Sequence, residues 1–288
     1  MPRKIVPYVF LIPAIMLIGT FVLLPMIGAL AISFSEYNMI QKPRFAGFNQ
    51  YRRLFQDPFF WNALFNSLLY LIVVVPVLST VPIFLAVLVN QKLPGISVFR
   101  GIYYLPVVTS LVVTGLMWKW VYEENGVLNF MLQGVGMIET PIAWLAVPSV
   151  SLFAVMAVTI WTGMGFYMVI YLAGLQSIPG SLYEVADLQG VSKLRQIIFI
   201  TIPMLRPYIA LVAVISSIAA MKIFEEVFIM TNGGPLSQTE TLVFFVYQNA
   251  FVEFDMGYAS AAGIALFALT FVLSVLNLLL TRETTDAK

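Results

Sequence analysis

Hydrophobic positions fall in six long runs separated by short polar segments. The runs cover about residues 5–34, 61–90, 101–122, 148–176, 208–230 and 256–281. A bilayer core of about 30 Å is crossed by about 20 helical residues. Each run therefore predicts one membrane-spanning helix, and the expected fold is all-α, a polytopic membrane protein forming a single transmembrane domain over residues 1–288. Pro76 and Pro82 interrupt the second run. Prolines are tolerated in buried membrane helices, where neighbours satisfy the freed carbonyls. Ala29-Leu30-Ala31 resembles a signal cleavage site, but signal h-regions run only about 7–15 residues, so the first run is expected to be a retained span. Trp118, Trp120 and Tyr122 read as an interfacial aromatic belt.

Composition agrees with the pattern. Of 288 residues, 60% are hydrophobic and 10% charged, against about 45–50% and about 25% in soluble chains; mean hydropathy is +0.93. A net charge of +1 provides no basic field for nucleic acid, and membrane lipid is the expected surroundings. The chain has no cysteine and no histidine, which removes thiolate chemistry, the commonest metal ligand and the usual neutral-pH proton carrier. No Gly-x-x-x-x-Gly-Lys-Ser/Thr phosphate loop is present.

Orientation follows from the placement of Lys and Arg in short loops. With the N-terminus inside, the cytoplasmic side holds Arg3, Lys4, Lys92, Arg100, Lys193, Arg195, Arg206, Arg282 and Lys288, nine in all, against five outside: Lys42, Arg44, Arg52, Arg53 and Lys119. Both termini are therefore expected in the cytoplasm, which puts the polar stretch 177–207 there too.

That stretch is expected to fold as helix, break, helix. Pro179-Gly180 ends the preceding span, and Ser181-x-x-Glu184 has the form of a capping box starting a helix at Leu182. Glu184 and Asp187 then lie near the positive end of its dipole, and Gly190 ends it. A second helical segment follows over 193–200, with Pro203 and Pro207 punctuating the way into the fifth span.

Glu184-x-Ala186-x-x-x-Gly190, followed by Ile200-x-Ile202-Pro203, resembles the cytoplasmic coupling loop of binding-protein-dependent ABC importer permeases. Val185, Gln189 and Ile202 stand where that motif usually has alanine, aspartate and leucine. Thr231-Asn232-Gly233-Gly234-Pro235, with 239–242 and 247–251, resembles the Thr-x-Gly-Gly-Pro segment of the carbohydrate type, the maltose, lactose and glycerol-phosphate systems. Gly47-Phe48-Asn49-x-Tyr51 and Asp57-Pro58-x-Phe60-Trp61 fit the first permease subunit of such systems.

The resemblance implies a type I ABC importer permease fold in a bacterial or archaeal cytoplasmic membrane. It implies a non-catalytic subunit that pairs with a second permease, sits on an ATPase dimer and receives sugar from an extracytoplasmic binding protein. ATP and magnesium belong to the partner ATPase, and no cofactor is expected on this chain. Glu184, Ala186, Asp187, Gly190 and Pro203 are the expected coupling residues. Thr159, Gly163, Phe166, Tyr167, Ser216, Ala220 and Lys222 form the expected substrate path, and Asn232, Gly233, Gly234 and Pro235 the binding-protein contact. Hydroxyl and aromatic groups suit sugars, although the glycines of the fourth span serve equally for close helix packing.

Lys222 stands three and four residues before Glu225 and Glu226. On a continuous helix either spacing permits an ion pair; the other reading is an outer gate or binding-protein contact. An importer for a polyamine or phosphate ester is the alternative within the family. An ion-coupled secondary transporter would show paired repeats and mid-span carboxylates, neither of which is visible in the chain.

Overall fold

The structure is a computed structural model, and it describes residues 6–91 and 93–285. Arg3, Lys4, Lys92 and Lys288, used above for orientation, lie outside the described residues.

Inside a bilayer there is no water to bond backbone N–H and C=O groups, so an apolar run pairs them internally as helix. The first run forms α1 (Val6–Ile18) and α2 (Leu24–Ser33), joined by a wider π-helical turn at Gly19–Leu23. A small hairpin follows, β1 (Ser35–Glu36) antiparallel to β2 (Arg44–Phe45), and then α3 (Asn49–Gln56). The second run is α4 (Pro58–Val89), unbroken through Pro76 and Pro82. Next come α5 (Ile96–Val108), α6 (Leu111–Val121) and the short α7 (Val127–Gly134). The fourth run is α8 (Pro148–Gln176), with the expected bounds. The polar stretch holds α9 (Gly180–Leu188), α10 (Lys193–Gln196) and α11 (Ile202–Met204). The fifth run gives α12 (Arg206–Met221) and α13 (Glu225–Met230); α14 (Leu242–Tyr247) and α15 (Met256–Thr285) complete the order. Among the described residues four helices are long and apolar enough to cross a bilayer, and six crossings result if each of two bent pairs, α5 with α6 and the Lys193–Met204 segment with α12, counts as one.

Two spans depart from the expected form. The 101–122 run is not one helix: α5 and α6 meet at 98°. Thr109 and Ser110 between them are extended, with ψ of 138° and 132°. Pro106 has no N–H to contribute to the last turn of α5. The Thr109 hydroxyl takes up the Leu105 carbonyl at 3.0 Å, which makes the break tolerable in a dry setting. The fifth run breaks after Met221 and resumes at Glu225, and the Thr241 hydroxyl donates to the freed Ile223 carbonyl at 3.0 Å. The aromatic belt is also only partly realised. Trp120 is exposed, but Tyr122 is buried and donates to the Ala154 carbonyl at 3.0 Å, and Trp118 packs edge-on against Trp161.

The described residues group into two compact units. The first comprises residues 6–61 and 245–268. Its order comes from the two motifs that follow the first run. Phe48 and Tyr51 pack on Phe34, and the Tyr51 and Ser33 hydroxyls are 2.7 Å apart. Asp57 caps α4 by accepting from the Phe59 amide at 2.8 Å, with Pro58 at the first helical position. Its other oxygen accepts from the Tyr258 hydroxyl at 2.5 Å. Arg53 pairs with Asp255 at 2.5 Å and lies 4.1 Å over the Tyr258 ring. Apart from Ser33, the described side chains of α1 and α2 bury little, the arrangement of a helix that faces lipid or a partner.

The second unit comprises residues 62–244 and 269–285. Its core is built on α4 and α8: Tyr70, Val74 and Leu78 from one, and Val155, Val158, Met168 and Tyr171 from the other, are buried. The Tyr171 hydroxyl donates to the Ser79 carbonyl at 2.8 Å. Arg100 donates to the Val89 carbonyl at 2.7 and 3.0 Å, placing a cation on the negative end of α4.

Candidate functional site

Thr159, Gly163, Phe166 and Tyr167 fall at i, i+4, i+7 and i+8 on α8 and so share one face. Ser216 and Ala220, four apart on α12, share another. The two faces line one cavity of about 280 Å³, near the lower end of the ~300–1,000 Å³ typical of ligand pockets. Val74 and Leu78 of α4 and Pro106 and Thr109 at the break between α5 and α6 complete its wall. Six of the seven expected substrate-path residues thus meet in space. No ionised side chain is on the wall among the described residues. Phe166 and Tyr167 stand edge to face, with centroids 5.2 Å apart.

The glycines of α8 do pack. A Cβ at Gly165 would collide with the Tyr103 carbonyl, and one at Gly163 would come within 3.2 Å of Leu78. Gly165 brings α5 against α8 and thereby carries Pro106 and Thr109 to the cavity.

Lys222 is the seventh expected residue, and it is not there. It ends α12, is exposed and lies off the cavity wall. The self-contained ion pair is absent as well. No salt bridge joins Lys222 to Glu225 or Glu226 among the described residues, because the backbone between them is not helical and the i, i+4 geometry is lost. Glu226 instead turns inward and is 6% exposed. It accepts from the Thr159 hydroxyl at 3.2 Å, and the Thr159 and Tyr70 hydroxyls are 2.5 Å apart. A buried carboxylate behind a cavity residue, absent from the expected arrangement, is therefore a feature of this site. Its sequence signal was an acidic residue inside an apolar run.

The polar stretch is ordered by its own residues. α9 starts at Gly180, with Pro179 at its N-cap and no side-chain cap. The expected capping box does not form, because Pro179 begins the helix too early for Ser181 to act as N-cap. At the other end Gly190 has φ +69°; the Val191 amide bonds the Ala186 carbonyl at 2.9 Å and the Gly190 amide bonds the Asp187 carbonyl at 3.0 Å. This is a Schellman motif, which uses up carbonyls that the helix end leaves free. Lys193 donates to both oxygens of Asp187 at 2.7 and 2.9 Å, and buried Gln196 donates to Asp187 at 2.6 Å and to the Val191 carbonyl at 3.0 Å. Lys193 first, and Gln196 after it, hold the Asp187 carboxyl below the usual carboxylate range.

Of the expected coupling residues, Glu184 is exposed, Ala186 is buried, Asp187 is paired within the stretch, Gly190 is the helix stop and Pro203 lies in α11. Leu182, Val185 and Leu188, three apart on α9, are exposed, Leu188 at 89%. This apolar row was not singled out in the sequence, where it looks like inward-facing helix.

Residues 45–286 match the model of a family described as the binding-protein-dependent transport system inner membrane component. The chain belongs to that family. This permease is 35% identical over 281 residues to the lactose transport system permease protein LacF of Rhizobium radiobacter, covering 96% of this chain and 94% of that one. It is 31% identical over 283 residues to the arabinooligosaccharides transport system permease protein AraP of Halalkalibacterium halodurans, covering 97% and 88%. Its fold superposes on a chain of the bacterial alginate ABC transporter, crystallised with an alginate pentasaccharide-bound periplasmic protein, with a TM-score of 0.85 and 26% identity. The match covers 99% of this chain and 96% of that one. The permease is accordingly a multi-pass inner membrane component of a transport system that works with a binding protein.

The permease's Thr-Asn-Gly-Gly-Pro segment is chiefly a folded knot. The Thr231 and Thr239 hydroxyls are 2.7 Å apart, and Thr239 donates to the Gly234 carbonyl at 2.7 Å. Gly233 has φ +81° and is buried, and a Cβ there would come within 2.6 Å of Phe244. Asn62 and Asn66 of α4 tie the loop down through the Ser237 and Glu240 carbonyls, at 2.7 and 2.9 Å. Asn232 is the exposed member of the segment, with Leu236 and Gln238 exposed just beyond it, while Gly234 and Pro235 are half-buried.

Proposed function

We propose that this permease is the transmembrane subunit of an ATP-driven importer that passes a sugar, an oligosaccharide or polyol-type solute, from an extracytoplasmic binding protein into the cytoplasm. The observation that carries this reading is the cavity between α4, α8 and α12. It combines the hydroxyls of Thr159, Ser216 and Tyr167 with the ring of Phe166, and among the described residues no charge lies on its wall. Sugars offer hydroxyls for such groups and C–H faces for such rings. The lactose and arabinooligosaccharide names of the relatives support the same class.

In this reading a second permease pairs with this chain, and an ATPase dimer that uses ATP and magnesium drives the pair. The ATPase meets α9, where Glu184 and the apolar row Leu182, Val185 and Leu188 face outward, while Asp187, Gly190 and the segment around Pro203 keep that helix stiff. Both termini and α9 lie on the cytoplasmic side. Asn232 and its neighbours through Pro235 lie on the other side, at the binding protein.

The test is sugar uptake by proteoliposomes holding the full complex. Thr159→Val and Phe166→Ala should each lower uptake about 3- to 10-fold, the value of one hydrogen bond of ~0.5–1.5 kcal/mol or a comparable ring contact, with assembly unchanged. Unaltered uptake kinetics in both would remove the cavity from the sugar path. An active complex lacking any ATPase would end the importer reading.

A further inference from the structure

Thr159 stands between two groups that decide what its hydroxyl can still do. Its single proton is committed to Glu226, 3.2 Å away. The Tyr70 hydroxyl, 2.5 Å away and fully buried, must then donate its own proton to Thr159. A hydroxyl has one proton and two acceptor lone pairs. With the proton spent and one lone pair filled, Thr159 has a single acceptor position left to face the cavity. The carboxylate of Glu226 sits one hydroxyl behind the wall, in a low-dielectric setting where a second negative charge is repelled strongly. Among the described residues no cation lines the cavity to offset it.

We propose that Tyr70 and Glu226 are positioning residues that make Thr159 an acceptor-only contact, so that the cavity selects an uncharged polyhydroxyl solute and rejects a uronate or phosphate ester. This deepens the sugar-import reading and rests on it. Neither residue touches the solute. Each acts by fixing the direction of the Thr159 hydroxyl, so that a donated O–H from the solute is held as it leaves the binding protein.

The experiment uses the complete importer in proteoliposomes, supplied with radiolabelled neutral di- to pentasaccharides or with oligouronates of matching length at equal binding-protein occupancy. The readouts are ATP hydrolysed per saccharide imported and the ratio of neutral to uronate import. Glu226→Ala and Tyr70→Phe should raise ATP per saccharide at least fivefold, since sugar is released into a site that no longer holds it. Glu226→Gln, which keeps the acceptor and loses the charge, should stay within twofold of the parent while its preference for neutral sugar shrinks at least fivefold. ATP hydrolysis and uptake falling together at a constant ratio would show a merely structural role and overturn the proposal. So would a parent importer that takes up both charge classes equally. If the Tyr70 and Glu226 variants do not assemble, Thr159→Ser should keep the parental ratio and Thr159→Val should lose it; identical behaviour of the two overturns the proposal. A parent complex that imports no saccharide of either class instead defeats the sugar reading itself.

Discussion

The polar stretch and the cavity are both assembled from helices of the second unit, yet they are held together over different distances along the chain. Every bond described for the stretch from α9 to α11 closes within 18 residues, from the Ala186–Val191 carbonyl bond to the Tyr183–Thr201 hydroxyl pair at 2.9 Å. The cavity gathers residues from Val74 to Ala220, on α4, α8, α12 and the broken third span. The stretch carries most of its order in its own local bonds, with Tyr183 and Leu205 fastening it to the core. A cavity exists only where several helices have already docked. The first is therefore ordered mainly by its own residues, and the second is a property of the whole unit.

The largest effect should come from the exposed face of the stretch. Leu188→Asp combined with Val185→Asp removes two apolar side chains worth about 1.5–3 kcal/mol each when fully buried against a partner, so ATPase affinity should fall ~100-fold or more. Retention of the ATPase on purification and its binding isotherm measure this. An unchanged isotherm would mean that α9 docks by another face.

Gly165→Val attacks the cavity from behind, by forcing α5 away from α8 where a Cβ meets the Tyr103 carbonyl. Overpacking of this kind costs about 1–3 kcal/mol, so the complex should melt several degrees lower and import poorly, with ATPase docking intact. If ATPase docking were lost as well, the two regions would not be independent.

Gly190→Ala is the converse change. At φ +69° an alanine costs about 1–2 kcal/mol, all of it within the stretch. Hydrogen exchange at Val191 should speed up about tenfold, while the apparent affinity for sugar stays put. A changed sugar affinity would sharpen the comparison into one of coupling between the regions.

The smallest effect should be that of pH on the Asp187–Lys193 pair. The carboxyl is held low chiefly by Lys193. The stabilisation is therefore fully present above the ordinary carboxylate value of about 3.9 and is lost only as pH falls through the lower folded value. Amide exchange in α9 and α10 should be pH-independent, after correction for intrinsic rates, between about pH 5 and 8. A transition near neutrality would contradict the assignment. The pair is exposed on both sides, at 75% and 52%, and screening keeps such pairs weak.

What was legible follows the same division. Gly190 as the helix stop and the helix, break, helix order of the stretch were readable because they depend on neighbours in sequence. The capping box was a false local signal: Ser181 and Glu184 have the right spacing, but with Pro179 as N-cap the helix starts two residues earlier, at Gly180. Of the seven residues that the family resemblance put on the substrate path, six line the cavity, and no rule of spacing pointed to them. Lys222 failed because its place on the helix was inferred from an apolar run that the structure interrupts at Lys222–Phe224.

By itself the sequence determined that the chain crosses a membrane repeatedly, where the long helices α4, α8 and α15 lie to within a few residues, and which segment stays polar between spans. Those properties sum over consecutive residues, as hydropathy and helix-ending signals do. Only the tertiary structure decided that α5 and α6 meet at 98°, that Glu226 bonds Thr159, itself bonded to Tyr70, and not Lys222, and that Thr109 joins the cavity wall. In a dry interior a polar group is bonded by whichever partner lies within about 3 Å, and that distance is set by packing between helices far apart in the chain.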